Sequence, residues 1–247
     1  MGTHIVVPAR LASTRLPRKP LVLIAGVPMI VRVMERIAPI SCDTKVAAVD
    51  SNEVYDTVVA AGYDAQMTEP DHPSGSDRVM EVASSRGWVD TDVVVNVQGD
   101  EPLVPADLIV TLIAQMQQGY DLATIAEKIE VLEDFENPNI VKVVINGLGK
   151  ALYFSRSPIP FAREAEKSSL KLEAAYRHVG IYAFRVKALK EFTRLPPARL
   201  EQVEMLEQLR WLDAGREIQV IESAEPVPGG VDTEEDLRRV ESIFSGQ

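Results

Sequence analysis

Ile5-Val6-Val7-Pro8-Ala9-Arg10-Leu11-Ala12-Ser13-Thr14-Arg15-Leu16-Pro17-Arg18-Lys19-Pro20 joins a short apolar run to a basic loop. Val93-Val94-Val95-Asn96-Val97-Gln98-Gly99-Asp100-Glu101-Pro102 repeats the design with an acidic end. Short runs of β-branched residues read as strands buried on both faces, the habit of a parallel sheet between helices. Working outward, strands are expected over 4–8, 45–49 and 93–97. Helices are expected over 28–37, 53–61 and 106–118, with Pro28 in a first turn, Asn52 as an N-cap and Gly62 as a stop. This alternation predicts one α/β domain, 1–247, with a mostly parallel sheet and helices on both faces. Strands follow more closely over 141–145, 151–154 and 178–184. The stretch 127–195 is therefore expected to form a smaller lobe or a dimer surface. Helices over 200–214 and 234–244 close the chain, and the charged segment 164–175 reads as a mobile surface connection.

With 247 residues, 46% of them hydrophobic, a sizeable core needs no staples. The single cysteine, Cys42, precludes an internal disulfide, fits a reducing compartment and reads as a structural thiol. The start lacks a basic region before a long apolar run, so no secretory signal and no membrane anchor are expected. A net charge of -11 disfavours nucleic acid as a partner. Against that background, Arg10, Arg15, Arg18 and Lys19 stand out, with no acid among them.

In open α/β sheets, ligands bind beyond the carboxyl ends of the strands. A basic loop there suits a triphosphate, arginine as a fork and lysine as a point charge. It is not a P-loop, since G-x-x-x-x-G-K-[ST] is absent. Asp100, at the end of the most apolar strand, can hold Mg²⁺ bridged to phosphate oxygens. Asp232, just before a helix capped by Thr233 and Asp236, is either a second metal ligand or an ordinary flanking acid. His178, Gly180 and Tyr182 share one strand face, which with Arg156 suits a hydroxylated carboxylate, although His178 alone reads as structural. Glu204, Glu207 and Gln208 are spaced for one helix face, either solvated or offered to sugar hydroxyls. His4, His72 and His178 have no metal-ligand spacing.

Seven strings in order resemble the 3-deoxy-manno-octulosonate (Kdo) cytidylyltransferases over nearly the whole chain. They are IVVPARLASTRLP (5–17), DHPSGSDR (71–78), VNVQGDEP (95–102), YFSRSPIP (153–160), RHVGIYAFR (177–185), LEQVEMLEQLR (200–210) and GVDTEEDL (230–237). The resemblance implies a Rossmann-like nucleotidyltransferase fold with a smaller lobe, in a cytoplasmic homodimer that uses Mg²⁺. The reaction implied is transfer of CMP from CTP to the anomeric hydroxyl of Kdo, releasing pyrophosphate and supplying CMP-Kdo to lipopolysaccharide synthesis. The same reaction on an 8-amino Kdo analogue or on sialic acid is the alternative. By the same resemblance, Ala9, Arg10, Ser13, Arg15 and Lys19 bind the nucleotide, the last four at its phosphates. Ser74, Gly75 and Arg78 lie on the cytosine side, and Asp100 and Asp232 hold Mg²⁺. Gln98, Arg156, His178, Tyr182, Glu207 and Gln208 line the sugar pocket, with Arg10, Lys19, Asp100 and Asp232 as the catalytic set.

The chain departs from the family pattern at Arg18, usually glycine, at Val27, usually basic, and at Phe161-Ala162-Arg163, usually a tryptophan-acid pattern. Arg18 strains the loop if its backbone needs φ > 0. A dinucleotide oxidoreductase would need G-x-G-x-x-G after the first strand, and the only Gly-x-Gly, Gly147-Leu148-Gly149, lies between two later strands. A non-catalytic nucleotide-sugar binder would not need acidic and basic groups at every matched position.

Overall fold

The computed structural model describes residues 1–163 and 172–246, so most of the charged segment 164–175 lies outside the described residues. The described residues form eleven strands: β1 (Thr3–Ala9), β2 (Leu23–Ile24), β3 (Val27–Pro28), β4 (Thr44–Val49), β5 (Ala65–Met67), β6 (Val93–Asn96), β7 (Leu122–Lys128), β8 (Lys142–Ile145), β9 (Ala151–Ser155), β10 (Tyr176–Arg185) and β11 (Gln219–Ser223). The main sheet runs β11-β7-β10-β6-β1-β4-β5. Its neighbours are parallel except at β10, which is antiparallel to β6 and β7. The mostly parallel α/β reading therefore holds.

Period-2 alternation splits the apolar strands between two cores. Ile5, Val7, Val93 and Val95 face one core, shared with Met34 and Ile37 of helix Met29–Ile37 and Leu112 of helix Ala106–Met116. Val6, Val46, Val94 and Phe184 face the other, under Val79 and Val82 of helix Gly75–Ser85 and Phe192 and Trp211. Helices on both faces follow from strands apolar on both faces.

From β1 the sheet continues through β4 to β5 on one side and through β6 on the other. That makes the ends of β1 and β6 the switch point, where a crevice opens. Gly99 permits the close approach of the two loops there, since an added Cβ would sit 2.9 Å from Pro8 O.

Several expectations need correction. Asn52 is the first helical residue, and Ser51 holds the cap position. Pro28 ends β3 and caps helix Met29–Ile37 rather than entering its first turn. The single helix expected over 200–214 is two, Arg199–Glu204 and Leu209–Asp213. Met205 takes φ 53 between them, Leu206 N–H turns back to Glu201 O at 3.2 Å, and Leu206 is buried. That is a left-handed helix stop sealed by an apolar residue. In the stretch 127–195, β10 and helix Val186–Phe192 belong to the main sheet and its covering layer, while β8 branches from the start of β10 and pairs with β9, off the main strand order. β7, β11 and helix Gly75–Ser85 were not anticipated. The first two are short or carry small residues without a clean alternation.

Candidate functional site

A cleft of about 650 Å³ opens at the switch point. Ala9, Arg10, Ser13, Arg15 and Lys19 from the loop after β1 line one wall. Ser74, Gly75 and Arg78 from the start of helix Gly75–Ser85 line another, and Gln98 and Asp100 follow β6. Asp232 arrives from the far end of the chain, and His178 and Gly180 from β10.

Asp232 reaches the cleft because the loop before it packs on the loop after β6. Val231 N donates to Asp100 O at 2.9 Å. Gly230 permits this, since an added Cβ would lie 2.9 Å from Glu101 Oε1. The two carboxylates then face one ammonium: Lys19 Nζ lies 2.5 Å from Asp100 Oδ2 and 2.7 Å from Asp232 Oδ1. Arg15 Nη2 lies 3.2 Å from Asp232 Oδ2. Burial works against the Lys19 charge, but both carboxylates outweigh it and raise the lysine above its ordinary pKa.

The ammonium thus sits where two carboxylates converge, a place suited to a cation. The described residues contain no cluster of three or more His, Cys, Asp or Glu side chains able to hold a metal. Two carboxylates fit Mg²⁺, which completes its octahedron with water and substrate phosphates, and fit poorly a metal that needs an all-protein cage. Asp100 and Asp232 are the residues that would hold it.

On the wall expected to meet the base, Ser74 caps its helix, its Oγ accepting from Asp77 N at 3.2 Å. Arg78 is buried and donates to Thr68 Oγ1 and to Pro70 O at 3.4 Å. Burial lowers its pKa, with the Asp50 charge opposing.

The residues expected to line a sugar pocket assemble differently. Gln98 lines the cleft and donates to Gly180 O at 3.3 Å. His178 Nε2 lies 3.0 Å from Thr124 Oγ1 and its ring meets Phe154 edge-on. Desolvation of the packed ring, reinforced by the Arg177 charge, lowers His178 to about 3, so the imidazole is neutral. Tyr182 lies on the same face despite an irregularity in β10, its ring 5.3 Å from that of His178.

Arg156, Tyr182, Glu207 and Gln208 do not line the cleft. Arg156 donates to Glu204 O at 2.8 Å and Pro138 O at 3.1 Å, so it braces loops rather than projecting inward. The expected shared face of Glu204, Glu207 and Gln208 is lost because the helix breaks between them. Glu204 instead accepts from Ser155 Oγ at 2.6 Å and Arg156 N at 3.0 Å. Glu207 lies behind Ser76, which donates to it at 3.3 Å, and burial raises its pKa. Glu207 Oε1, Gln208 Nε2 and Asn96 Oδ1 are buried and have no hydrogen-bond partner among the described residues. Unpaired buried polar atoms are rare enough to need an explanation.

Other cleft residues were given no role in the sequence reading, among them His72, Glu101, Asn139 and Arg177. Three stand inside or beside motifs quoted above, and their adjacency to Arg78, Asp100 and His178 was the available signal. Glu101 is held near pKa 8, by burial first and then by the Asp100 charge. Arg18 has φ 56, the strained case, and its guanidinium pairs with Glu53.

The family described as "Cytidylyltransferase" matches residues 4–218. A 3-deoxy-manno-octulosonate cytidylyltransferase of Alcanivorax borkumensis is 45% identical over 100% of both chains. One from Cellvibrio japonicus is 46% identical over 99% of this chain and 98% of its own. A solved CMP:2-keto-3-deoxy-manno-octonic acid synthetase complexed with CTP superposes with a TM-score of 0.91 at 40% identity, covering 100% of this chain and 99% of the other. A cytidylyltransferase of Leptospira borgpetersenii, at 15% identity and a TM-score of 0.64, shares the fold. No helix among the described residues is long and apolar enough to cross a membrane.

Proposed function

This chain belongs to the cytidylyltransferase family, and we propose that it transfers CMP from CTP to the anomeric hydroxyl of Kdo, releasing pyrophosphate. The observation that carries the reading is the Asp100–Lys19–Asp232 bridge at the switch point, in the cleft that Arg10 also lines. The full-length relatives named for this reaction and the CTP-bound neighbour support the choice of substrates.

Arg10, Ser13, Arg15 and Lys19 take the phosphate oxygens. The sugar hydroxyl attacks the α-phosphorus, a new O–P bond forms, and the bond to the β-phosphate oxygen breaks with loss of the hydroxyl proton. Lys19 and Arg10 stabilise the negative charge that grows on the departing pyrophosphate. Lys19 releases the two carboxylates as it turns to the phosphates, which frees Asp100 and Asp232. Asp100 and Asp232 would then hold Mg²⁺, which when bound would supply charge neutralisation at the phosphates and acidify the attacking hydroxyl.

Gln98 and the neutral imidazole of His178 orient the sugar acid. The unpaired atoms of Glu207, Gln208 and Asn96 suit a hydroxyl-rich ligand that reaches past the cleft wall. Ser74, Gly75 and Arg78 meet the cytosine.

The active form is a homodimer. Among the described strands β9 pairs only with β8, and Leu152, Phe161, Val203 and Met205 nearby are 58%, 85%, 74% and 75% exposed. A covered apolar strand edge is the usual remedy for such a surface. The lone thiol and the reaction's nucleotide supply fit the cytoplasm. The test is pyrophosphate release with CTP and Mg²⁺, offering Kdo, its 8-amino analogue and sialic acid in parallel. Release with Kdo is expected. CTP binding without release on any acceptor would overturn the reading.

A further inference from the structure

Asp50 follows the last residue of β4 and belongs to none of the motifs above. Its carboxylate serves two walls of the cleft. Oδ1 accepts from Leu11 N at 2.9 Å, directly after Arg10 in the basic loop. Oδ2 lies 3.6 Å from Arg78 Nη2. The Asp50 and Arg78 side chains are 10% and 4% exposed, whereas those of Arg15 and Asp232 are 65% and 47% exposed. Buried pairs are screened far less by solvent than exposed ones.

The other ties on the basic loop are of a different kind. Arg15 and Lys19 grip the carboxylates that a metal–nucleotide complex would claim. Arg18 pairs with Glu53 at the surface. Leu16 N reaches Ser13 Oγ only at 3.4 Å, within the loop itself. When CTP enters, the Lys19 and Arg15 contacts open, and the Asp50 contact, on the far side of the loop, remains.

We propose that Asp50 is a positioning residue, fixing the distance between the triphosphate loop at Arg10–Leu11 and the base-side wall at Arg78. The inference rests on the reading of this cleft as the CTP site. A nucleotide spans both walls, so holding them in register before binding removes an ordering cost from nucleotide affinity. Asp50 touches no substrate in this role, and the sugar side does not depend on it.

Asp50→Asn and Asp50→Ala test this, with CTP affinity read by calorimetry and steady-state kinetics run on both substrates. The CTP Kd and KM are expected to rise on the order of tenfold, more in Asp50→Ala, while kcat and the sugar-acid KM stay within about threefold. Asp50→Glu keeps the charge but moves it by one methylene, and it carries the same expected split if the other variants do not fold. A purely structural role would lower Tm and leave the CTP KM unchanged, which overturns the proposal. Equal increases in both KM values overturn it as well. Wild-type protein that binds no CTP overturns the cleft reading and this inference together. Wild-type binding with an unchanged Kd in Asp50→Asn overturns the role of Asp50 alone.

Discussion

The two ends of the cleft are built on different principles. At the end proposed above to take the phosphates, charged side chains converge: Lys19 between Asp100 and Asp232, Arg15 on Asp232, Arg10 alongside. At the other end, proposed above to take the sugar, His178 is packed and neutral, Glu207 and Gln208 keep buried atoms with no partner among the described residues, and Arg156 braces backbone carbonyls. Charges act across several ångströms and tolerate approximate placement, so a motif suffices to set them up. Hydrogen bonds need tight geometry, and at the second end the donors and acceptors are held by packed structure.

The sharpest test of that contrast is Lys19→Ala. Removing one preorganised charge from the transition state is expected to lower kcat by at least about 100-fold, with a smaller change in the sugar-acid KM. Near-normal turnover would sink the charged-end assignment. At the other end, Glu207→Gln is expected to raise the KM for the sugar acid about tenfold and leave the CTP Kd unchanged, the cost of one mismatched buried hydrogen bond. Equal effects on both substrates would erase the division between the two ends.

His178 gives a pH signature. Its folded pKa of about 3 lies below the unfolded value, so between those two values the unfolded chain binds the proton and the folded one does not. Stability is therefore lost as pH falls through this window, by at most about 1.4 kcal/mol per pH unit from this residue. Denaturant melts of the wild type and His178→Gln between pH 6 and pH 4, on the order of the window this sign sets, should diverge, with the variant the flatter. Parallel curves would mean His178 is solvated. The smallest effect is expected at Arg18→Gly. Relief of the left-handed backbone stabilises by about 1 kcal/mol, and loss of the exposed pair with Glu53 offsets a few tenths of it. A fall in Tm would show that Arg18 holds the loop through its side chain.

Much of the fold was legible because strands such as Val93–Asn96 are apolar on both faces, and that pattern has one common solution. The helix break at Met205 was not legible. Residues 200–214 have no glycine or proline before Gly215, and the stop arises where Leu206 finds a buried site and Glu204 finds Ser155 and the Arg156 amide. Strand β11 was equally hidden, since its partner β7 lies about a hundred residues away along the chain.

By itself, the sequence determined the alternating α/β order, the two charged loops and the family, since all three rest on local pattern and residue type. Only the tertiary structure decided that Lys19 lies between Asp100 and Asp232, that Asp50 joins two walls of one cleft, and that Arg156 turns away from it. Those facts depend on which loops the sheet order brings together, and a contact between residues 19 and 232 leaves no periodic trace in the chain.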